Sequence, residues 1–287
     1  MIDYKSLDLR DVKKIIFERQ LKRFPHLKNF KESPYSYLKS RYYMYCSVVL
    51  VYYLLKSRVT PNMLSIVYCL CGVIGGILLS IPNIQYNIIG VFIFFNKNIF
   101  DWSDGNLAHI KYEPSVTGHI LDVYGATIGS ICLTIGLGFF AFNQSGHEFL
   151  IYIIAIIAFL HGEVYSSASK KIILQDFNKI VFQNKKDIHI EKKINEKNSN
   201  KTINNNYPKL LSRLKFLLDE RSRTVDFVLL LILIDIYYNY QLTFYIFLII
   251  SIRIFFRFIL SFFFGVKSRW AELYVDELRK DIQLRND

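Results

Sequence analysis

The sequence predicts an all-α integral membrane protein with six transmembrane helices and an N-terminal amphipathic juxtamembrane helix. Three observations carry that reading. Hydrophobic residues make up 52% of the 287 positions. They gather in runs of about 20, the length a helix rising 1.5 Å per residue needs to cross roughly 30 Å of hydrocarbon. No Lys or Arg occurs from Val59 to Asn96, from Tyr112 to Ser169 or from Thr224 to Ile252. The basic residues behind the net charge of +12 crowd into residues 1–58, 170–223 and the tail after Gly265, which is a positive-inside pattern. A basic chain also suits nucleic acid, but no recognisable binding module is present, so no nucleic-acid partner is expected.

Residues 1–58 read as a cytoplasmic arm followed by an interfacial helix. Between Asp8 and Phe24, Val12, Ile15, Ile16 and Leu21 fall near one helical face with bases opposite, which suits a helix on an anionic membrane surface or against the body of the protein. Tyr42 to Leu55 is apolar but short for a span, and Lys39, Arg41, Lys56 and Arg58 flank it. The first forty residues contain no early apolar core, so no signal peptide is expected.

Six spans are expected within residues 59–265: Pro61 to Ile81, with Pro61 at a helix start; Tyr86 to Ala108; Thr117 to Phe142; Glu148 to Lys170; Thr224 to Tyr238; and Leu242 to Gly265. The short turns "PNIQ", "NQSG" and "NYQ" alternate with basic segments. Both termini then lie in the cytoplasm, as expected for a bacterial inner membrane protein. Residues 170–223 form a Lys- and Asn-rich cytoplasmic insert, and residues 266–287 a cytoplasmic tail. Cys46, Cys69, Cys71 and Cys132 show no metal-ligand spacing and read as small buried hydrophobes.

Acids are costly in a membrane, yet the stretch "DWSDGNLAHIKYEPSVTGHILD" places three aspartates at the ends of apolar segments. At about 100° per residue, Asp101, Asp104, Gly105 and Ala108 share one side of a helix, and Gly118 and Asp122 share a face of the next. Antiparallel packing brings three carboxylates together at the cytoplasmic boundary, with small residues letting backbones approach or leaving a slot for a ligand. Such a trio suits a hard divalent cation, Mg²⁺ or Mn²⁺, shared with a phosphate, and phosphoryl transfer. The other reading pairs the acids with Lys97, Lys111 or Arg253, or lets them reach water.

These residues resemble the signature of the CDP-alcohol phosphotransferase family, D-x2-D-G-x2-A-R-x8-G-x3-D-x3-D. Asp101, Asp104, Gly105, Ala108, Gly118 and Asp122 match it in spacing, and "VTPN" is similar to the family's lead-in. The resemblance implies transfer of a phospho-alcohol from a CDP-alcohol donor to an alcohol or polyol-phosphate acceptor, with release of CMP, in synthesis of a phospholipid or related phosphodiester. It implies Asp101, Asp104 and Asp122 as metal ligands, and Asp101, Gly105, Ala108 and Gly118 around the nucleotide. It also implies membrane lipid as a partner, a cytoplasmic active site and a homodimer.

Two positions depart from the pattern. His109 stands at its arginine, and Ala126 at its fourth aspartate. His119, three residues before Asp122, and His109 are the candidate bases in its place. Alternatively a metal-bound alcohol needs little help, or the chain is a degenerate member that binds nucleotide or lipid as a non-catalytic partner of another membrane enzyme. Lys97, one turn before Asp101, and Arg253 and Arg257, four apart in the sixth span, are candidates for substrate phosphate; the two arginines also suit snorkelling to headgroups. His161 and Glu163 read as a polar face of the fourth span, either lining the same cavity or bonding between helices. Asp235 is expected to reach the far interface.

Overall fold

In the computed structural model, residues 7–31, 34–111, 115–161 and 222–268 are described, and all of their regular structure is helical. The polar insert up to residue 221, the tail beyond residue 268 and Glu163 lie outside the described residues.

Asp8 starts α1 (Leu9–Arg23) with a reciprocal capping box. Its carboxylate accepts from Asp11 N at 2.8 Å, while the Asp11 carboxylate accepts from Asp8 N. The helix buries Val12, Ile16 and Gln20 and lies against α2 (Pro34–Leu55). That helix extends well ahead of the apolar run beginning at Tyr42. Val51 and Leu55 of α2 join Val12 and Ile16 in a core shared with Leu64 and Leu107.

Thr60 caps α3 (Pro61–Ser80), with Pro61 in its first turn. Asn83 caps α4 (Ile84–Asn96), and Asn87 ties the turn together by donating to the carbonyls of Leu78, Leu79 and Ile81, groups that the end of α3 leaves unpaired. The expected second span is interrupted. Helix α4 ends before Lys97, and α5 (Asn98–Lys111) begins after it. Ser115 caps α6 (Val116–Ser145), which ends at Gly146 with φ 69°, a conformation glycine adopts without strain. Next come α7 (Phe149–His161), α8 (Ser222–Tyr238) and α9 (Leu242–Ser268).

Among the described residues, three helical stretches are long and apolar enough to cross a membrane: Pro61–Ser80, Thr117–Ser145 and Leu242–Ile259. Phe149–His161 is a shorter apolar helix, and the rest of the expected fourth span lies outside the described residues. On α3, Ile66, Leu70, Ile74 and Ile77 form an exposed apolar stripe, the face a spanning helix turns to lipid.

Helix α3 packs on α4, α5 and α6, and glycines set how closely α3 and α6 approach. A Cβ at Gly76 would lie 2.6 Å from the Cys132 carbonyl oxygen, and one at Gly72 would lie 2.8 Å from Gly129 Cα. Farther along, Leu79, Phe94, Leu137, Ile154, Ile232 and Phe247 join α3, α4, α6, α7, α8 and α9 in a second core.

The Asp235 side chain turns into the protein rather than outward. It is 1% exposed and caps α9, accepting from Leu242 N at 2.9 Å and from Thr243 N and Oγ1, both at 2.6 Å. Positive φ at Asn239 and Gln241 folds the turn back onto it. Asp235→Ala strands these donors and is expected to cost about 2–3 kcal/mol, read as a lower unfolding midpoint in detergent. Asp235→Asn retains part of that stability.

Candidate functional site

Helices α1, α3, α5 and α6 line an open cavity of ≈ 480 Å³. Helix α5 contributes Asp104, Gly105, Ala108 and His109, and α6 contributes Gly118, His119 and Asp122. The seven were expected around one site, and the fold brings them together. Capping builds the α6 side: the Ser115 hydroxyl accepts from Gly118 N at 2.9 Å. A Cβ at Gly118 would lie 3.0 Å from both Ser115 Oγ and Asn62 Oδ1, so glycine lets this helix start sit against α3. At Gly105 a Cβ would meet nothing within 4 Å. That side of α5 opens onto free volume.

Of the three aspartates only Asp104 is buried; Asp101 and Asp122 are half-buried. Asp104 is buried and accepts from Ser65 Oγ of α3 at 2.5 Å. Asp101 does not line the cavity. It lies close enough to Asp122 and Asp104 to feel the charge of both. Among the described residues, no three His, Cys, Asp or Glu side chains are grouped to hold one metal ion as they stand. The donor chemistry still suits a hard cation: every group is a carboxylate, and three such groups near one another set like charges together unless a proton or cation intervenes.

Lys97 is buried beside Asp101, with Nζ 4.2 Å from the centre of the Tyr68 ring. Glycines of α6 make room for both side chains. A Cβ at Gly125 would lie 2.6 Å from Tyr68 Cδ1, and one at Gly129 would lie 2.5 Å from Lys97 Nζ. Lys97 thus stands behind the acids. It lines a neighbouring apolar cavity of ≈ 690 Å³ with Cys46, Val49, Phe92 and Phe100 among others.

Two expected phosphate ligands lie elsewhere. Arg253 lines a separate cavity of ≈ 50 Å³ with Ser130, Thr134 and His161, because α9 packs on α6 away from α3 and α5. Arg257, one turn on, is exposed. His161 lies 3.3 Å from Ser130 Oγ and 3.4 Å from Thr134 Oγ1, which is hydrogen bonding between helices. Ala126, one turn beyond Asp122, is exposed.

Four residues at or beside the site escaped the sequence reading: Ser65, Tyr68, Arg19 and Arg23. Ser65 lies one turn after Pro61, a signal only once α3 is known to face α5. The two arginines line the cavity from α1, and their spacing reads equally well as a solvated helix face. His109 lies near Arg19; burial first, then that charge, hold its imidazole below the ordinary value, which favours the neutral, proton-accepting form.

Residues 58–185 match the family model described as CDP-alcohol phosphatidyltransferase. No curated protein and no solved structure matches the chain.

Proposed function

We propose, from the match of residues 58–185 to the CDP-alcohol phosphatidyltransferase family model, that this membrane protein transfers a phospho-alcohol from a CDP-alcohol to an acceptor hydroxyl, releases CMP and makes a phosphodiester lipid or its precursor. The observation that carries the reading is the gathering of Asp104, Gly105, Ala108, Gly118 and Asp122 around one cavity, with Asp101 near enough to feel the charge of both acids.

Asp101, Asp104 and Asp122 are the groups that would hold Mg²⁺ or Mn²⁺, with diphosphate oxygens completing the set. When bound, the metal offsets charge on the diphosphate and on departing CMP. The chain's own residues do the rest. Ser65 holds the Asp104 carboxylate in one orientation through its 2.5 Å hydrogen bond. The open side of Gly105 admits the nucleotide where a side chain would intrude. His119 and His109 line the same cavity, and a neutral imidazole takes the proton from the acceptor hydroxyl. That oxygen then bonds to phosphorus as the bond to CMP breaks. Lys97, behind Asp101, moderates the acids' charge.

The same reading carries the six-span bundle in a bacterial inner membrane, with both termini and the site cytoplasmic, and a homodimer. Its support is the absence of Lys and Arg from the apolar runs and their crowding into the segments between.

The test is CMP release from labelled CDP-alcohols by the detergent-purified full chain, across a panel of alcohol and polyol-phosphate acceptors. Turnover is expected with Mg²⁺ or Mn²⁺ and is lost with EDTA. A second reading, the non-catalytic nucleotide- or lipid-binding partner, rests on Ala126, which carries no carboxylate. Cytidine nucleotide bound with metal, but no CMP released across the panel, would favour it.

A further inference from the structure

Helix α1 lies outside the residues that match the family model, yet it forms part of the cavity wall. Arg19 and Arg23, one helical turn apart, both line it. Arg19 is anchored there: Nη1 donates to the Gly105 carbonyl at 2.6 Å and to Asn106 Oδ1 at 2.9 Å. Asn106 is itself fixed, accepting from Gln20 Nε2 at 2.9 Å and donating to Ser47 Oγ at 3.0 Å. These anchors are neutral, and neither arginine forms an ion pair with a described residue. Nε and Nη2 of Arg19 make no hydrogen bond among the described residues, so part of its donor fork remains available to the cavity.

The cavity therefore has two chemical characters. Asp104 and Asp122 repel a phosphate unless a cation intervenes. The arginines attract one directly, and a guanidinium fork matches the geometry of phosphoryl oxygens. Two like charges one turn apart also repel each other, and an anion between them relieves that repulsion.

We propose that Arg19 and Arg23 form a phosphoryl-oxyanion subsite of this cavity, separate from the aspartates, that holds a substrate phosphate without a metal. The proposal rests on the reading of the cavity as the transferase site. The oxyanion belongs either to the diphosphate of the CDP-alcohol or to a phosphate monoester carried by the acceptor.

Inorganic phosphate and CDP are the probes, titrated onto the full chain in detergent without divalent metal. Arg19→Gln and Arg23→Gln are each expected to weaken phosphate binding, Arg19→Gln by about tenfold, and Arg19→Lys is expected to restore part of the loss. If CDP affinity falls in parallel, the oxyanion is the donor's. If CDP affinity stays within twofold while phosphate affinity falls, it is the acceptor's. Either result upholds the subsite. A lower ligand-free melting temperature with unchanged phosphate affinity would make Arg19 a tether between α1 and α5 and overturn the proposal. Absence of phosphate binding by the unaltered protein at millimolar concentrations would overturn it as well. CMP release keeps the two readings distinguishable. Turnover with arginine-independent phosphate binding defeats the subsite alone, whereas arginine-dependent binding without turnover defeats the reaction and leaves the subsite standing.

Discussion

Asp122→Asn is expected to lower divalent-dependent CMP release by about 10³-fold, with the ligand-free protein as stable as before or more so. The two effects part company because one carboxylate plays opposite roles in the two states. Without ligand, Asp122 presents a like charge to Asp101. Asparagine keeps the size, removes the repulsion and adds an N–H that can donate to Asp101. In the proposed reaction that negative charge would draw a cation to the donor's diphosphate, and losing a preorganised electrostatic contact of this kind costs about 10²–10³ in rate. The experiment pairs CMP release with thermal unfolding of the same preparation. Activity within about twofold of the unaltered protein would remove Asp122 from the site. A collapse of stability alongside activity would mean that the residue acts through the fold.

Gly76→Leu is expected to destabilise the protein by more than about 3 kcal/mol and to abolish activity along with folding. A Cβ there would lie 2.6 Å from the Cys132 carbonyl oxygen and 2.8 Å from Cys132 Cβ. Overpacking a core side chain costs about 1–3 kcal/mol, and here the nearest obstacle is backbone, which cannot rotate away. Relief requires α3 and α6 to separate. Since α3 holds Ser65 and α6 holds Asp122, separation also dismantles the cavity. Gly105→Ala supplies the contrast. With no atom within 4 Å of the added Cβ, the ligand-free melting temperature is expected to hold. Cytidine nucleotide binding falls by tenfold or more if the free volume beside Gly105 receives the nucleotide. Equal melting temperatures for the two variants would show that α3 and α6 are not tightly packed at Gly76.

Much of the local structure was legible in the sequence because it depends on neighbours in the chain. Pro61 after Thr60, Asn83 before α4 and Gly146 after α6 mark helix ends through backbone chemistry that acts within a few residues. The expected face shared by Asp101, Asp104, Gly105 and Ala108, and that shared by Gly118 and Asp122, follows from the helical period alone, yet Asp101 is the one of the six that does not line the cavity. Where hydropathy was read as continuous from Tyr86 to Ala108, the structure divides the run at Lys97, a charge flanked by Asn96 and Asn98.

The amino-acid order alone thus determined a helical membrane chain with its acids and glycines in register on two helices. Only the tertiary structure decided what meets them. Ser65 reaches Asp104 across 39 residues, and Arg19 reaches Gly105 across 86. Lys97 stands behind the acids beside Tyr68, Arg253 lies with His161, and Asp235 turns inward to cap α9. The physical reason is that periodicity fixes which residues share a helix face but carries no information about the partner of that face. The partner is set by how closely backbones approach, as at Gly76 and Gly129, and by which buried polar groups must find a hydrogen bond.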